Sequence, residues 1–376
     1  MPLSSESAEP LSWSDLASLA MPEPNRIEGP TSAQATLRLF GQPESNVMVT
    51  LYRDHHAWCP YCQKIWLWLE FKRIPYRIRK VTMRCYGPKE PWFLEKVPSG
   101  MLPALELNGR LITESDDILL ALEQQFGPLG MAMTAPEALE LRRLERLLFQ
   151  AWCIWLCSPR LSPRQQVLAR EQFQDIARRF ERELNREEGP WLRGPEPQTV
   201  DLIFVPYVER MNASLAYYKG YRLRAEHPAI DRWFRALEQL ETYRGTQSDF
   251  HTHAHDLPPQ MGGCWPDDGA EAKRLAERID RGDGLGEDEA CWDADHQADQ
   301  AVIALSRVLR HQQRLREVNP MGAAAFDQPL RCALTRLVRN TPCPPPAGSA
   351  AGLRYLRDRI SVSYTHLRAH ETVHYL

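Results

Sequence analysis

The chain lacks any apolar run approaching the about 20 residues that span a bilayer, so no membrane partner is expected. Its opening residues, Met1 to Leu16, contain no basic stretch followed by an apolar one, and a secretory leader is therefore not expected. They are acidic rather than arginine-rich, which argues against an organellar transit sequence. A dominant charge sign is missing too. Lys and Arg total 46 against 49 Asp and Glu, a net charge of −3, so no global field draws the protein to nucleic acid or to an anionic surface. The nine cysteines form an odd, scattered set without the framework of a secreted disulfide protein. Together these absences predict a reducing, cytoplasmic setting, with a plastid as the variant for an algal source.

What is present is the composition of a globular protein: 376 residues, 43% apolar and 25% charged, enough for two or three domains. Residues 1–46, rich in Pro, Ser and Glu, read as a mostly irregular arm in which the apolar patch Leu37 to Phe40 docks on the body. From Val47 the pattern sharpens into a first domain, residues 47–128. Val47 to Tyr52 reads as a buried strand, a helix follows from Pro60 to about Lys72, and Ile74-Pro75 opens a second strand from Tyr76 to Met83. Two apolar runs around Asn108-Gly109 carry a strong hairpin signal. Glu114-Ser115 opens a helix that stops at Gly127-Pro128. The order strand, helix, strand, helix, hairpin, helix predicts an α/β thioredoxin-like domain.

Residues 134–245 read as an all-helical second domain. Thr134-x-x-Glu137 and Ser162-x-x-Gln165 have capping-box spacing, and apolar residues recur at helical intervals behind each. After a polar junction, Gly245 to Pro259, residues 260–345 read as a small helical extension of unassigned role. Residues 362–376 have the character of an adapter-derived, non-native tail and are set aside.

The chemistry concentrates at Trp58-Cys59-Pro60-Tyr61-Cys62. A cysteine becomes a nucleophile when its thiolate is stabilised, and a helix start supplies unpaired N–H groups and the positive end of the dipole. Cys59 stands immediately before Pro60, which suits the first helical turn. Arg53, His55, His56 and Lys64 are near in sequence and add positive potential. Cys62, three residues on, is placed to resolve a mixed disulfide. A zinc reading of this pair requires four ligands, and no second C-x-x-C or suitably spaced histidine pair completes it. Cys153 and Cys157, four apart on a helix, read as small buried thiols.

Three motifs in order now define a resemblance. Cys59-Pro60-Tyr61-Cys62, then Val97-Pro98-Ser99-Gly100-Met101-Leu102-Pro103-Ala104-Leu105, then Thr113-Glu114-Ser115, resembles the N-terminal domain of cysteine-type glutathione transferases. Relatives of that pattern include the omega and lambda classes and the glutaredoxins. With its C-terminal extension the chain is most similar to the iota class, and the resemblance covers roughly residues 46–245. It implies glutathione as co-substrate, with Cys59 as nucleophile. It implies a cis bond before Pro103, with the Leu102 backbone meeting the cysteinyl part of glutathione. It also implies that Glu114 answers the γ-glutamyl ammonium while Ser115 and its helix start hold the carboxylate. Trp191-Leu192-Arg193-Gly194 followed by Thr199-Val200-Asp201-Leu202 resembles the folding motif of the transferase C-terminal domain, except that Gln198 stands where that motif has a capping Ser or Thr. Homodimers are common among such relatives.

A second substrate, small and apolar or glutathionylated, is expected above Cys59, with Trp152, Trp155, Tyr217 and Tyr218 as lining candidates; each also fits plain core packing. No metal is expected. His251-x-His253-x-His255-Asp256 lies in a polar junction with no strand to gather alternate residues, and Asp280-x-x-Asp283-Gly284 lacks calcium-loop spacing. The expected activity is a glutathione-dependent thiol transfer through a Cys59–glutathione mixed disulfide. The alternatives are a cysteine-type peroxide isomerase and a ligand-binding or interaction module.

Overall fold

The computed structural model describes residues 8–22, 25–55, 58–85, 87–281, 284–285 and 300–360. His56, Asp283 and the 362–376 tail lie outside them. The chain divides into two units: residues 24–291, and residues 1–23 together with 292–376.

The smaller unit holds α1 (Trp13–Leu19) and, from the far end of the chain, helices between Gln300 and Ile360. Ser12 caps α1 by accepting from Asp15 N. Leu11 and Leu16 are buried against Leu305, Phe326, Leu330 and Leu334. The Leu11 N–H donates to Thr335 Oγ1 at 2.9 Å, and Trp13 Nε1 donates to Asp327 Oδ1 at 2.9 Å.

The larger unit begins with a sheet of five strands: β1 (Leu37–Arg38), β2 (Val49–Asp54), β3 (Tyr76–Val81), β4 (Ala104–Leu107) and β5 (Arg110–Thr113), in spatial order β1-β3-β2-β4-β5. β2 and β3 run parallel, with Leu51 opposite Ile78, and the crossover between them is α2 (Pro60–Phe71). A parallel pair requires such a crossover, and here it is the helix that Cys59 opens. β4 pairs antiparallel with β2 and with β5. The β4–β5 turn is Asn108-Gly109, with φ of 52° and 80°, the double positive-φ geometry that fits the twist of a two-residue hairpin. The Leu37 patch docks as β1, with Leu37 opposite Arg77. Buried Arg38 secures it by donating to both carboxylate oxygens of Glu70, at 2.9 and 3.0 Å. α3 (Pro91–Lys96) and α4 (Ser115–Phe126) complete a thioredoxin-like domain.

The helical region follows: α5 (Pro136–Cys157), α6 (Pro163–Leu184), α7 (Thr199–Lys219), α8 (Leu223–Glu226), α9 (Pro228–Glu238), α10 (Glu241–Thr246), α11 (Phe250–Met261) and α12 (Ala270–Arg281). The remaining helices, α13 (Gln300–Arg310), α14 (Gln312–Glu317), α15 (Ala323–Arg339) and α16 (Ala350–Ile360), are those of the smaller unit. α7 is buried along nearly its whole length and packs against α2, α5, α11 and α12. Among the described residues, no helix is long and apolar enough to cross a membrane.

Two local expectations need correction, at the start of α5 and in the junction after Gly245. The Thr134-x-x-Glu137 capping box is not used. Pro136 takes the first helical position, and the residue before a proline is held extended, so Ala135 stands at the N-cap without a side-chain bond. At α7, Gln198 is the N-cap residue and Asp201 reaches back to it. Its carboxylate accepts from Gln198 N, Leu192 N and Trp233 Nε1 at 3.0, 2.9 and 3.2 Å. The Gln198 side chain instead bridges Met131 N and Arg193 O. The polar junction after Gly245 is helical: Asp249 caps α11 through Thr252 N at 2.7 Å, and Ala254 is buried with Ala216, Leu275 and Ile279.

Candidate active site

Cys59 is the N-cap residue of α2. Its Sγ accepts from Cys62 N at 3.4 Å and lies 3.9 Å from the Leu102 carbonyl oxygen. The Leu102–Pro103 bond is cis. Trp58 N donates to Asp54 Oδ2 at 2.6 Å, so the chain entering the nucleophile turn is tied to the end of β2. Cys59 is 6% exposed and Cys62 only 1%. Burial raises the Cys62 thiol well above its ordinary value, and its contact with Cys59 raises it further.

Two cavities meet at this turn, sharing Tyr61, Met101 and Leu102 in their walls. The first, about 840 Å³, is lined by Lys64, Leu102, Pro103, Glu114, Ser115 and three arginines of α5, Arg142, Arg143 and Arg146. It is rich in cations. Lys64 Nζ donates to Asp116 Oδ1 at 2.8 Å, and Arg142 bonds the other oxygen of Asp116. Burial pulls the Lys64 ammonium below its ordinary value, with Asp116 opposing; burial would raise the Asp116 carboxyl, but the two cations hold it below. Glu114 adopts φ 64° and ψ 119°, a conformation that costs about 1–3 kcal/mol for a residue with a side chain and concentrates at functional positions. It stands at the N-cap of α4, beside Ser115 at the first helical position.

The second cavity, about 530 Å³, contains Cys59 and is walled by Phe149, Trp152, Tyr207, Leu257 and Met261. Phe149 meets Trp152 and Tyr207 edge to face, with ring centroids 5.6 and 5.2 Å apart, and Tyr61 meets Tyr207 at 5.7 Å. The Arg146 guanidinium lies over both Phe149 and Tyr207 at 4.7 Å. The cationic cleft and the aromatic cavity thus adjoin at Tyr61, Met101 and Leu102, and Cys59 lines the aromatic one.

Of the candidates named from sequence, Cys59, Leu102, Pro103, Glu114, Ser115 and Trp152 all border one or other cavity, while Cys62 is packed beneath Cys59. Trp155, Tyr217 and Tyr218 are not brought there. Trp155 packs on Phe173 and Tyr221 inside the helical region. Tyr217 bonds Asp280 at 3.2 Å, and Tyr218 donates to Ala254 O at 3.0 Å. Arg53 is turned to backbone carbonyls and the Trp66 ring, and His55 toward Glu90.

A glutathione S-transferase N-terminal domain model matches residues 58–125, the span that runs from the nucleophile turn through Glu114 and α4. That domain of the chain is similar to the glutathione S-transferase N-terminal domain. The chain is 25% identical over 190 residues to the Arabidopsis thaliana glutathione S-transferase DHAR2, a match covering 50% of this chain and 84% of that protein. It is 26% identical over 198 residues to the A. thaliana glutathione S-transferase L3, covering 51% of this chain and 79% of that one. A solved Chlamydomonas reinhardtii dehydroascorbate reductase superposes with a TM-score of 0.49 at 19% identity, covering 56% of this chain and 98% of that one. The domain match and these relatives support an enzyme of the glutathione transferase type.

The most consequential residues that sequence reasoning misses form a buried network under the nucleophile. Arg210 of α7 donates to Trp58 O at 2.6 Å, to Pro206 O at 2.6 Å and to Gln63 Oε1 at 2.9 Å. Gln63 Nε2 donates to Glu209 Oε2 at 2.9 Å, and the other oxygen of Glu209 meets His253 Nε2 at 2.5 Å and Ser248 N at 2.9 Å. Burial pulls the Arg210 guanidinium below its ordinary value, opposed by Glu209. Burial would raise the Glu209 carboxyl, but His253 and Arg210 hold it below the usual range. A signal was available: Glu209-Arg210 interrupts the otherwise apolar face of a long helix, and charges fully buried there must be paired.

Proposed function

We propose that this chain is a glutathione-dependent thiol transferase of the cysteine type. The observation that carries the reading is the position of Cys59, a helix-capping thiol in the wall of an aromatic cavity that adjoins a cationic cleft at Tyr61, Met101 and Leu102. Glutathione carries two carboxylates and one ammonium. The cleft offers Lys64 and the α5 arginines to the first, with Glu114 for the second. Its cysteinyl sulfur is then directed along Leu102 to Cys59.

The Cys59 thiolate attacks the glutathionyl sulfur of a mixed disulfide. A Cys59–glutathione disulfide forms, the original sulfur–sulfur bond breaks, and the electron pair leaves with the substrate thiolate, which takes up a proton. A second glutathione thiolate attacks the glutathionyl sulfur of that intermediate, releasing oxidised glutathione and restoring Cys59. Cys62 is buried and holds its proton, which supports a one-cysteine route. Simple conjugation to electrophiles favours a hydroxyl that stabilises bound thiolate; a protein thiol at that point competes for the sulfur instead. The aromatic walls of the second cavity suit an apolar group on the departing thiol.

The test is steady-state reduction of a glutathionylated peptide, coupled to reduction of the oxidised glutathione released. Turnover abolished in Cys59→Ser and retained in Cys62→Ser supports the reading. Turnover retained in Cys59→Ser rejects it.

A further inference from the structure

His251 and His255 are four residues apart on α11, so both rings project from one face of the helix. The rings lie nearly parallel, 26° apart with centroids separated by 4.2 Å. Facing them from α12 is Asp280, whose Oδ1 is 2.7 Å from His255 Nε2. One ligand atom from each of the three residues falls within 4.8 Å of the others. A hydrogen bond between His255 and Asp280 needs no second imidazole, yet His251 is stacked beside it. Two imidazoles at i and i+4 with a carboxylate from a neighbouring helix make a three-donor set of borderline hardness.

We propose that His251, His255 and Asp280 bind one divalent first-row transition ion, zinc foremost, between α11 and α12. At metal–ligand bonds of about 2.0–2.1 Å, the donors of a tetrahedral ion stand about 3.3 Å apart, so the His255–Asp280 contact opens by roughly half an ångström. Water takes the fourth position. His255 and Asp280 are 35% and 45% exposed, which leaves the ion a path from solvent. Tyr217 supports the carboxylate: its hydroxyl donates to Asp280 Oδ2 at 3.2 Å, and its ring meets His255 edge-on at 5.1 Å.

The site stands apart from thiol transfer, since none of its three ligands borders the Cys59 cavity. It does bear on the cavity's wall. Leu257, Gln260 and Met261 lie on α11, so an ion joining α11 to α12 fixes the helix that presents them.

Cobalt(II) titration of the full chain tests this, because cobalt reports its own ligands. Expected are one equivalent bound, visible ligand-field bands without the near-ultraviolet thiolate charge-transfer band, and the same spectrum in Cys59→Ser. Loss of a ligand exceeds the 10–100-fold weakening typical of a lost supporting contact, so His251→Gln and His255→Gln each weaken binding by more than about a hundredfold. Tyr217→Phe weakens it about tenfold. Should His255→Gln fail to fold by circular dichroism, His251→Gln and a zinc anomalous-scattering map of the unaltered protein still decide. No binding at millimolar cobalt, a sulfur-ligated spectrum, unchanged affinity in folded His251→Gln, or anomalous density elsewhere each overturns the site.

Discussion

Arg210 donates a 2.6 Å hydrogen bond to the carbonyl of Trp58, the residue immediately before the nucleophile turn. The cation lies on α7 and the carbonyl at the entrance to α2, so the helical region holds the backbone that presents Cys59. Replacing Arg210 with Leu leaves Gln63 Oε1 and the Trp58 and Pro206 carbonyls without their buried donor and removes a cation that favours the charged form of Glu209. A loss of about 3–5 kcal/mol is expected, as for other buried pairs stripped of one member. Urea denaturation of Arg210→Leu against the unaltered protein measures it.

The same network predicts an acid sensitivity. Glu209 is held below the usual carboxylate range, so the folded state takes up its proton less readily than the unfolded chain does. Its contribution is present in full above about pH 5 and is lost as the pH falls toward the lowered folded value. Urea midpoints measured between pH 6 and 3.5 should fall less steeply in Glu209→Gln than in the unaltered protein.

Cys62 should be a poor nucleophile. Burial, the larger cause of its raised thiol value, remains when Cys59 is removed. In Cys59→Ser, alkylation of Cys62 between pH 6 and 8 should therefore run more than about tenfold slower than that of an unstructured cysteine peptide. Peptide mapping by mass spectrometry after iodoacetamide treatment provides the rate.

Glu114 should act on binding rather than on chemistry. A charge-assisted bond contributes about 1.5–3 kcal/mol, so Glu114→Gln should raise the KM for glutathione by about 10–100-fold while kcat stays near its starting value. Turnover measured across a glutathione series separates the two effects.

The thioredoxin-like domain was legible because its marks are local. Asn108-Gly109 can form its turn from its own backbone, Pro60 suits a helix start wherever it stands, and Ser115 opens α4 where the pattern placed it. The burial of Leu11 and Leu16 was not legible, since their partners Leu305 and Phe326 lie about 300 residues away. Trp155, Tyr217 and Tyr218 show the same limit. Helical spacing shows that a face is apolar without showing which neighbour it meets, and these rings meet Phe173, Ala254 and Asp280 rather than Cys59. The pairing of His251 with His255 was not legible for a different reason: alternate residues converge only on a strand, whereas Asp249 caps this segment into a helix, where positions four apart converge.

The central claim is that Cys59 alone carries the glutathionyl group. Incubation with oxidised glutathione followed by intact mass measurement and peptide mapping tests it most directly. The unaltered protein and Cys62→Ser should each gain one glutathionyl group at Cys59, released by reduced glutathione, and Cys59→Ser should gain none in this motif. A group that still loads at Cys62 in Cys59→Ser, or an unaltered protein that leaves Cys59 free while turning over substrate, would contradict it.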